Sequence, residues 1–379
     1  MADAKTRKQG KETASFTKTR AFSVCVSLLS SILLSFLVIA VMLGIAGYDP
    51  GVVFGALFSG AFGDVSAWSE SLLTSMPLIF SGLAVAFAFK CNLLNIGVEG
   101  QLTIGALCAG AAGIYITGLP SYLHIPLCIL AAMAGGGLWA LLPGYLKAAR
   151  GCHEVIVTIM MNYIAFRVSA YFLNGPMQAQ GANIAASENL QQSAWLPQLV
   201  PGTRLSIGIL LAVVLAVLLW YILKYTRPGY KVKAVGLNAD AARYAGVSIK
   251  KTIILTMLIS GAIAGIAGGA EILGVHHRVY DQFSPGYGFD SIAVALLGYN
   301  NPLGVVISGF LFGSLKSGSV NMQTVAGTSK DLVRVIQAVI IFFSVTGFSF
   351  QKIVHWIRKK CKENPRQKRP VTKKGGEAP

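Results

Sequence analysis

Long runs of apolar residues, separated by short polar segments, dominate this chain. An α-helix needs about 20 predominantly apolar residues to cross the hydrocarbon core of a membrane, and most of the runs reach or approach that length. The pattern therefore predicts an all-α integral membrane protein, a polytopic helical bundle. The runs lie at 21–47, 71–89, 102–146, 155–173, 205–223, 252–273, 291–315 and 332–350.

Polar and charged residues divide the apolar runs into predicted crossings and predicted loops. The run 102–146 contains GLPSYLHIP at 118–126 and is long enough for two crossings. Residues 48–70 carry three acidic residues and no Lys or Arg, as expected for an external loop, and 174–204 is a second predicted external loop. Arg167 lies inside the crossing predicted at 155–173.

The segment GYNNPLG at 298–304 predicts a break in the run 291–315, since Gly and Pro interrupt a helix. If this run crossed only once, the basic C-terminal tail would lie outside the cell. That would contradict the rule that segments rich in Lys and Arg lie in the cytosol. We therefore expect it to enter and return, or to cross as two short tilted helices. The count is eight full crossings plus broken or re-entrant segments, with ten as the alternative.

Composition and charge agree with a membrane protein. Hydrophobic residues make up 54% of the 379 and charged residues 12%, against about 25% charged in soluble domains. Much of the net charge of +17 lies in two predicted cytosolic tails, 1–20 and 352–379, which flank a membrane domain at 21–351. Basic tails that adjoin membrane spans are expected to stay in the cytosol and to be attracted to anionic lipids. A nucleic-acid partner is not expected. The six cysteines and the adjacent His276 and His277 form no metal-site pattern.

The segment 224–251 is a predicted cytosolic loop that contains a short helix. Asn238 is a good N-cap, Asp240 and Arg243 suit the helix dipole, and Gly246 supplies the stop. A helix of about two turns is marginal in water, so it needs a surface on which to dock. The alternative is a solvated connecting loop whose basic residues only set the topology.

Several polar or small residues inside apolar sequence are candidates for function or packing. Asn95, Glu99 and Gln101 interrupt the stretch NLLNIGVEGQLTIGAL at 92–107, where they either line a pathway or lie at the headgroup level. Glu271 is predicted either to contact the solute or to cap the outer end of its span. Close helix contact is predicted at three glycines spaced four apart: Gly261, Gly265 and Gly269.

Four segments resemble permease subunits of bacterial ABC importers for branched-chain amino acids, simple sugars and nucleosides. GLNADAARYAGVS at 236–248 is similar to the family's coupling loop, and IAVALLGYNNPLGVVISGFLFG at 292–313 to its C-terminal region. NIGVEGQ at 95–101 and EVIVTIMMNYIA at 154–165 resemble the nucleoside subgroup, which uses a lipoprotein binding subunit. A DLSVG-like segment typical of the sugar importers is absent. The resemblance covers roughly residues 70–350.

The resemblance implies a solute path for nucleosides or related purines and a loop that docks on a separate ATP-binding subunit. Amide groups suit base edges and aromatic rings suit stacking. The residues assigned to the path are Asn95, Glu99, Gln101, Thr158, Asn162, Tyr163, Tyr299, Asn300 and Asn301, and those assigned to the coupling loop are Gly236, Asn238, Ala241, Ala242, Arg243, Tyr244 and Gly246.

The implied partners are the ATP-binding subunit, a second homologous permease, identical or different, and an extracytoplasmic solute-binding lipoprotein. We expect a multi-pass protein of the bacterial cytoplasmic membrane with both termini in the cytosol. No phosphate loop GxxxxGK[ST] occurs, so ATP and Mg²⁺ would be bound by the partner, and no cofactor or enzymatic activity is expected here. The alternatives are a ribose-type sugar permease, an ion-coupled transporter that uses Glu99, and a membrane scaffold.

Overall fold

The structure, a computed structural model, describes residues 32–181, 184–329 and 331–345. Its regular secondary structure in these ranges is helical, which confirms the predicted all-α class. The helices are α1 (Ile32–Ile45), α2 (Pro50–Phe62), α3 (Val65–Phe89), α4 (Val98–Tyr115), α5 (Ser121–Arg150), α6 (Glu154–Leu173), α7 (Gly208–Tyr225), α8 (Arg227–Leu237), α9 (Ala239–Tyr244), α10 (Ile249–Glu271), α11 (Tyr287–Leu297), α12 (Pro302–Ala326) and α13 (Asp331–Val345).

Six of the described helices are long and apolar enough to cross a membrane: α3, α5, α6, α7, α10 with its extension to His276, and α12. Three shorter apolar helices, α1, α2 and α11, accompany them. These helices do not test the predicted count of eight or ten crossings, which stays a prediction. Both predicted tails, 1–20 and 352–379, lie outside the described residues.

The chain divides into two compact units. The larger comprises residues 47–335. The described part of the smaller comprises residues 32–46 and 336–345, where the Ser35 hydroxyl donates to the Val339 carbonyl at 3.4 Å.

In the larger unit, α10 packs closely against α5 and α4 through small residues. A Cβ on Gly261 would overlap the Ala140 methyl group, and one on Gly265 would overlap the Ala132 carbonyl of α5. Gly105 of α4 lies directly against Gly265, and Gly269 faces Ala132 one turn further on. Side chains at these positions would force the helices apart, so the spacing of four residues serves helix contact here.

Helix α12 runs antiparallel to α3. Gly309 of α12 lies against Ile79, and Gly313, one turn later, lies against Ser75, one turn earlier in α3. The first turn of α12 therefore lies near the end of α3 that leads to Lys90, and α12 ends on the opposite side of the unit.

Two segments predicted to be loops contain helices that were not identified from the sequence. Residues 48–70, expected to be an external loop, form α2 and the start of α3. Pro50 occupies the first turn of α2 and the Asp49 carboxylate caps it by accepting from the Gly51 N–H at 2.8 Å. The segment before the short loop helix forms α8, which the Thr226 hydroxyl caps. Both helices have a capping residue followed by Pro within two positions, Asp49 before Pro50 and Thr226 before Pro228, a signal that the charge pattern obscured.

The predicted break within 291–315 is present. Helix α11 ends at Leu297, and α12 begins at Pro302 with Asn301 as its N-cap. Tyr299 and Asn300 in the turn have φ near +50°, which Gly or Asn adopts most readily. The run was expected either to enter the membrane and return or to cross as two short tilted helices. Neither arrangement matches fully, because α11 is short whereas α12 has 25 residues.

The segment that follows α10 turns back toward the interior of the unit. A π-helical turn at Ile272–His276 ends α10, and the chain then pairs with residues from the loop between α6 and α7. The Ser187 N–H donates to the Val279 carbonyl at 2.7 Å, and Trp195 stacks on His277 with ring centroids 4.0 Å apart. These contacts fix the segment that leads from α10 to the start of α11.

Candidate functional site at the broken helices α4 and α11

The connection from α3 to α4 is an irregular backbone segment held by buried amide side chains. Asn95 is fully buried, and its amide nitrogen donates to the Gln101 Oε1 and the Ser260 hydroxyl, both at 2.9 Å. Gln101 donates back to the Asn95 Oδ1 at 3.1 Å, and that oxygen also accepts the Gly97 N–H. Because Ser260 lies near the middle of α10, this break is deep in the helical bundle.

Asn162 of α6 holds the same segment from the other side. Its Oδ1 accepts the Gly100 N–H at 2.8 Å, and its Nδ2 donates to the Ile96 carbonyl at 3.0 Å. Thr158, one turn earlier and also buried, lies against Gly97 and donates to the Glu154 carbonyl. Asn162 therefore satisfies backbone groups that the missing helical turn before α4 leaves unpaired.

The Glu99 carboxylate joins the beginnings of two helices. It lies in the first turn of α4 and accepts the N–H of Gly288, in the first turn of α11. A Cβ on Gly288 would overlap the Glu99 backbone, so the two helices touch at this point. The positive ends of two helix dipoles thus converge on one buried carboxylate, which stabilises its negative charge.

A cavity of about 390 Å³ opens beside Glu99. Ligand pockets in proteins typically enclose roughly 300–1,000 Å³, so a molecule of nucleoside or monosaccharide size can enter. Its wall combines aromatic rings, charged groups and small polar groups. The lining residues are Glu99, Thr103, Tyr163, Phe166, Arg167, Ala170, Asp281, Gln282, Phe283, Ser284, Gly286 and Phe289.

Of the nine residues assigned to the solute path from the sequence, Glu99 and Tyr163 line this cavity. Four others form the polar shell behind the wall: Asn95, Gln101, Thr158 and Asn162. The remaining three, Tyr299, Asn300 and Asn301, lie in the turn between α11 and α12 and are not among the lining residues.

Most residues of the cavity wall were not predicted from the sequence. Phe166 and Arg167 follow Tyr163 by three and four residues, so helical spacing and an arginine inside a span were the available signals. The Tyr163 and Phe166 rings meet edge to face with centroids 6.4 Å apart. Residues 281–284 come from the loop after α10, and nothing in their local sequence relates them to α4 or α6.

An ion pair between α11 and α12 and a carboxylate–histidine contact at the end of α10 involve further buried or partly buried charged groups. The Lys316 ammonium of α12 is 2.9 Å from the Asp290 carboxylate of α11 and lies over the Tyr287 ring, 4.7 Å from its centroid. Glu271, predicted either to meet solute or to cap its span, is buried with its carboxylate 3.4 Å from the His276 Nε2. Lys316 fixes α11 on α12, and Glu271 is not among the cavity residues.

The short helix predicted in the loop after α7 is present as α9. The Asn238 Oδ1 accepts the Ala241 N–H at 2.9 Å, and Gly246 follows the last turn with φ +78°. The Val247 N–H donates to the Ala242 carbonyl and the Gly246 N–H to the Arg243 carbonyl, a Schellman motif. Arg243 and Tyr244 are exposed, and Tyr244 retains 94% of its accessible surface.

Helix α8 connects this loop to the broken segment before α4. A Cβ on Gly236 would overlap the Lys90 carbonyl, so α8 touches the chain where α3 ends and the irregular segment begins. Burial, together with the charge of Lys233, lowers the pKa of Lys90 at this junction. Helix α8 is therefore in direct contact with the segment that leads to Glu99.

Comparison with known proteins places these features in a family. The family model described as branched-chain amino acid transport system, permease component, matches residues 67–345. The guanosine ABC transporter permease protein NupP of Bacillus subtilis is 42% identical over 326 residues, covering 85% of this chain and 93% of the relative.

Two other curated relatives cover most of the chain at lower identity. The glucose ABC transporter permease protein TsgB13 of Haloferax volcanii is 35% identical, covering 80% of this chain and 82% of its own length. The nucleoside ABC transporter permease protein NupB of Lactococcus lactis is also 35% identical, covering 84% and 90%. No solved structure matches.

The match excludes two of the expected alternatives, the ion-coupled transporter and the scaffold. Such a permease component is a multi-pass protein of the cell membrane and works with an ATPase and a solute-binding protein. ATP is handled by that partner ATPase rather than by the permease. The chain therefore belongs to the branched-chain amino acid transport system permease family and is a permease subunit of an ABC transporter.

Proposed function

We propose that this chain forms the solute path of an ATP-driven nucleoside importer, with purine nucleosides of the guanosine type as solutes. The cavity beside Glu99 is the observation that carries the proposal. Its aromatic residues Tyr163, Phe166, Phe283 and Phe289 offer surfaces on which a base can stack. Glu99 and Arg167 offer an acceptor and a donor for the polar edge of the base.

The named solutes of two relatives support the same class. NupP is a guanosine permease and NupB a nucleoside permease, and both match over most of this chain. A sugar is the second candidate, because TsgB13 is a glucose permease at 35% identity and aromatic rings also stack on sugars. The absent DLSVG-like segment and the NIGVEGQ segment at 95–101 favour the nucleoside.

We further propose that the segment containing α8 and α9 is cytosolic and that the ATP-binding subunit docks on α9. The support is the excess of basic residues around this segment and the exposure of Tyr244 on a helix of six residues. By the same charge argument both termini are cytosolic. Movement of the docked helix would reach Glu99 through α8 and Lys90 and open the cavity to alternate sides.

Uptake by the complete transporter in sealed proteoliposomes tests the proposal. With ATP enclosed on the side of α9 and no ion gradient, we expect accumulation of radiolabelled guanosine and competition by excess unlabelled inosine but not by glucose. Tyr163→Ala should raise the half-saturating guanosine concentration about tenfold, since loss of one stacking contact costs on the order of 1 kcal/mol or more. Accumulation of glucose instead of guanosine would overturn the solute assignment.

A further inference from the structure

The cavity beside Glu99 has a second carboxylate in its wall, that of Asp281. Asp281 lies in the loop between α10 and α11 and is partly exposed. Its carboxylate takes part in no ion pair or hydrogen bond with the other residues that the structure describes. An ionised carboxylate only accepts hydrogen bonds, so both of its oxygens are available to donors on a solute.

The backbone around Asp281 is held on both sides. The Asp281 N–H donates to the Ala185 carbonyl at 3.0 Å, and the Ser284 hydroxyl caps the start of α11 by accepting two N–H groups. Between them Gln282 has φ +52°, which breaks the alternation of side chains along an extended chain, and residues 281–284 all line the cavity. The carboxylate is therefore carried by a segment whose conformation is set before a solute binds.

The cavity has two ends along α6. Tyr163 lies at the level of Glu99, since the residue before it accepts the Gly100 N–H. Ala170 lies seven residues beyond Tyr163, about 10 Å along the helix, toward the loop that follows α6. Asp281 bonds to that loop and so belongs to the second end. One end thus combines an aromatic ring with Glu99, and the other combines a small side chain with Asp281.

A nucleoside of the guanosine type carries hydrogen-bond donors at two places. N1–H and the amino group lie on one edge of the base, and the 2′ and 3′ hydroxyls lie side by side on the ribose. One oxygen of Glu99 already accepts the Gly288 N–H, whereas both oxygens of Asp281 are available for two adjacent hydroxyls. Carboxylates bind ribose hydroxyls in dinucleotide sites, and hydrogen bonds to a charged acceptor are stronger than neutral ones.

We propose that Asp281 binds the 2′ and 3′ hydroxyls of the ribose and makes the transporter select ribonucleosides over deoxynucleosides. The base stacks at Tyr163, and the sugar extends toward Ala170, whose small side chain leaves room for it. This inference rests on the proposed nucleoside function and adds to it a residue that determines specificity. An analogue without one hydroxyl leaves an oxygen of the Asp281 carboxylate without its donor, which slows transport of that analogue.

Transport of three related solutes by the complete transporter in sealed proteoliposomes tests the proposal. Guanosine, 2′-deoxyguanosine and 3′-deoxyguanosine are each supplied at a concentration that saturates the solute-binding protein, so the rate reports on passage through the permease. Guanosine should be transported about tenfold faster than either deoxy analogue, because each analogue lacks one hydrogen bond to a charged group.

Replacing Asp281 tests whether that preference comes from its carboxylate. Asp281→Ala should bring the three rates within about twofold of one another, since neither hydroxyl then has its partner. The thermal unfolding midpoint should stay at the wild-type value, because the carboxylate bonds to no other described residue. Glu188→Ala is the matched control, an exposed acidic residue in the loop between α6 and α7 that is not among the cavity residues, and it should keep the preference for guanosine.

Three results contradict the proposal. Equal wild-type rates for the three solutes would show that the ribose hydroxyls are not read, and an unchanged preference in Asp281→Ala would show that another residue reads them. An equal fall of all three rates in Asp281→Ala would mean that the carboxylate acts on the chain itself, through Arg167 of the same cavity, and not on the ribose. Failure of the nucleoside assignment is a different outcome, in which the wild-type transporter accumulates none of the three solutes.

Discussion

Two neighbouring residues of α6, Asn162 and Tyr163, point in opposite directions and have different roles. Asn162 is 1% exposed and uses its amide to satisfy the backbone of the segment before α4. Tyr163 is largely exposed and lines the cavity. The sequence suggested that both would meet solute, whereas the hydrogen bonds of Asn162 are all directed to the chain itself.

Substitutions at these two positions should separate stability from transport. Asn162→Ala leaves a buried N–H and a buried carbonyl without partners, so we expect a loss of roughly 1–3 kcal/mol in the free energy of unfolding. Tyr163→Ala should leave the thermal unfolding midpoint of the purified complex near that of the wild type and impair only uptake. Tyr163→Phe should keep both properties, since stacking needs the ring and not the hydroxyl.

The measurements are thermal unfolding in detergent and guanosine uptake in proteoliposomes. If Asn162→Ala unfolds at the wild-type temperature and loses uptake, Asn162 contacts the solute directly, and our account of the polar shell is wrong.

At the scale of elements, α9 is a six-residue helix whose ends are both specified locally. Asn238 caps it and the Schellman motif at Gly246 ends it, with Ala242 and Val247 both buried at the closing turn. So short a helix is unstable alone. It persists because its two ends are fixed and because α8 and α10 pack beside it.

Removing the exposed side chains of α9 should weaken coupling without harm to the fold. Tyr244 and Arg243 are exposed, so alanine at both positions removes no contact on which the described structure depends. We expect less ATP-binding subunit to co-purify, or ATP hydrolysis that no longer responds to solute. Aromatic residues and Arg often dominate interfaces, so a loss of about tenfold in association is the expected magnitude.

Gly246→Val gives an independent version of the same test. An added Cβ there meets no atom within 4 Å, so its effect comes from the positive φ alone. Gly55→Val, at an equally open position of α2 without positive φ, is the control. If the double alanine variant and Gly246→Val both keep wild-type co-purification of the ATP-binding subunit and wild-type response of ATP hydrolysis to solute, α9 is only a linker.

At the scale of the whole molecule, the order of the spans sets the side on which the C-terminus lies. The turn between α11 and α12 lies toward the end of α3 that contacts α8, and α12 ends on the opposite side. If the final apolar run, 332–350, crosses the membrane once as predicted, we expect the chain to return to the side of α8 and α9. The broken pair α11 and α12 thus agrees with a cytosolic basic tail.

Accessibility of an introduced cysteine tests this topology. A cysteine in place of Lys360, in a variant without Cys361, should resist a membrane-impermeant thiol reagent in intact cells and react after permeabilisation. A cysteine in place of Gln198, in the loop between α6 and α7, should react in intact cells and is the matched control. Labelling of position 360 in intact cells would place the tail outside and exclude this order of spans.

Much of the fold follows from local patterns in the sequence. The long apolar runs predicted the main helices, because a helix in lipid must satisfy its own backbone and carry apolar side chains. Gly and Pro predicted the break before Pro302, and Asn238 with Gly246 predicted α9. Helix α2 was missed because a charge count classified its residues as a loop, although Asp49 and Pro50 form a helix start.

What the sequence determined by itself is therefore the class of the molecule, the break before Pro302 and the two ends of α9. These depend on the chemistry of residues close together in the chain. The tertiary structure alone decided which polar residues face the cavity. Asn162 turns inward to the backbone before α4, and Glu99 meets Gly288, 189 residues away. Residues 281–284 reach the cavity because the loop after α10 folds back over the start of α11. Such contacts depend on packing between distant segments, which no local pattern records.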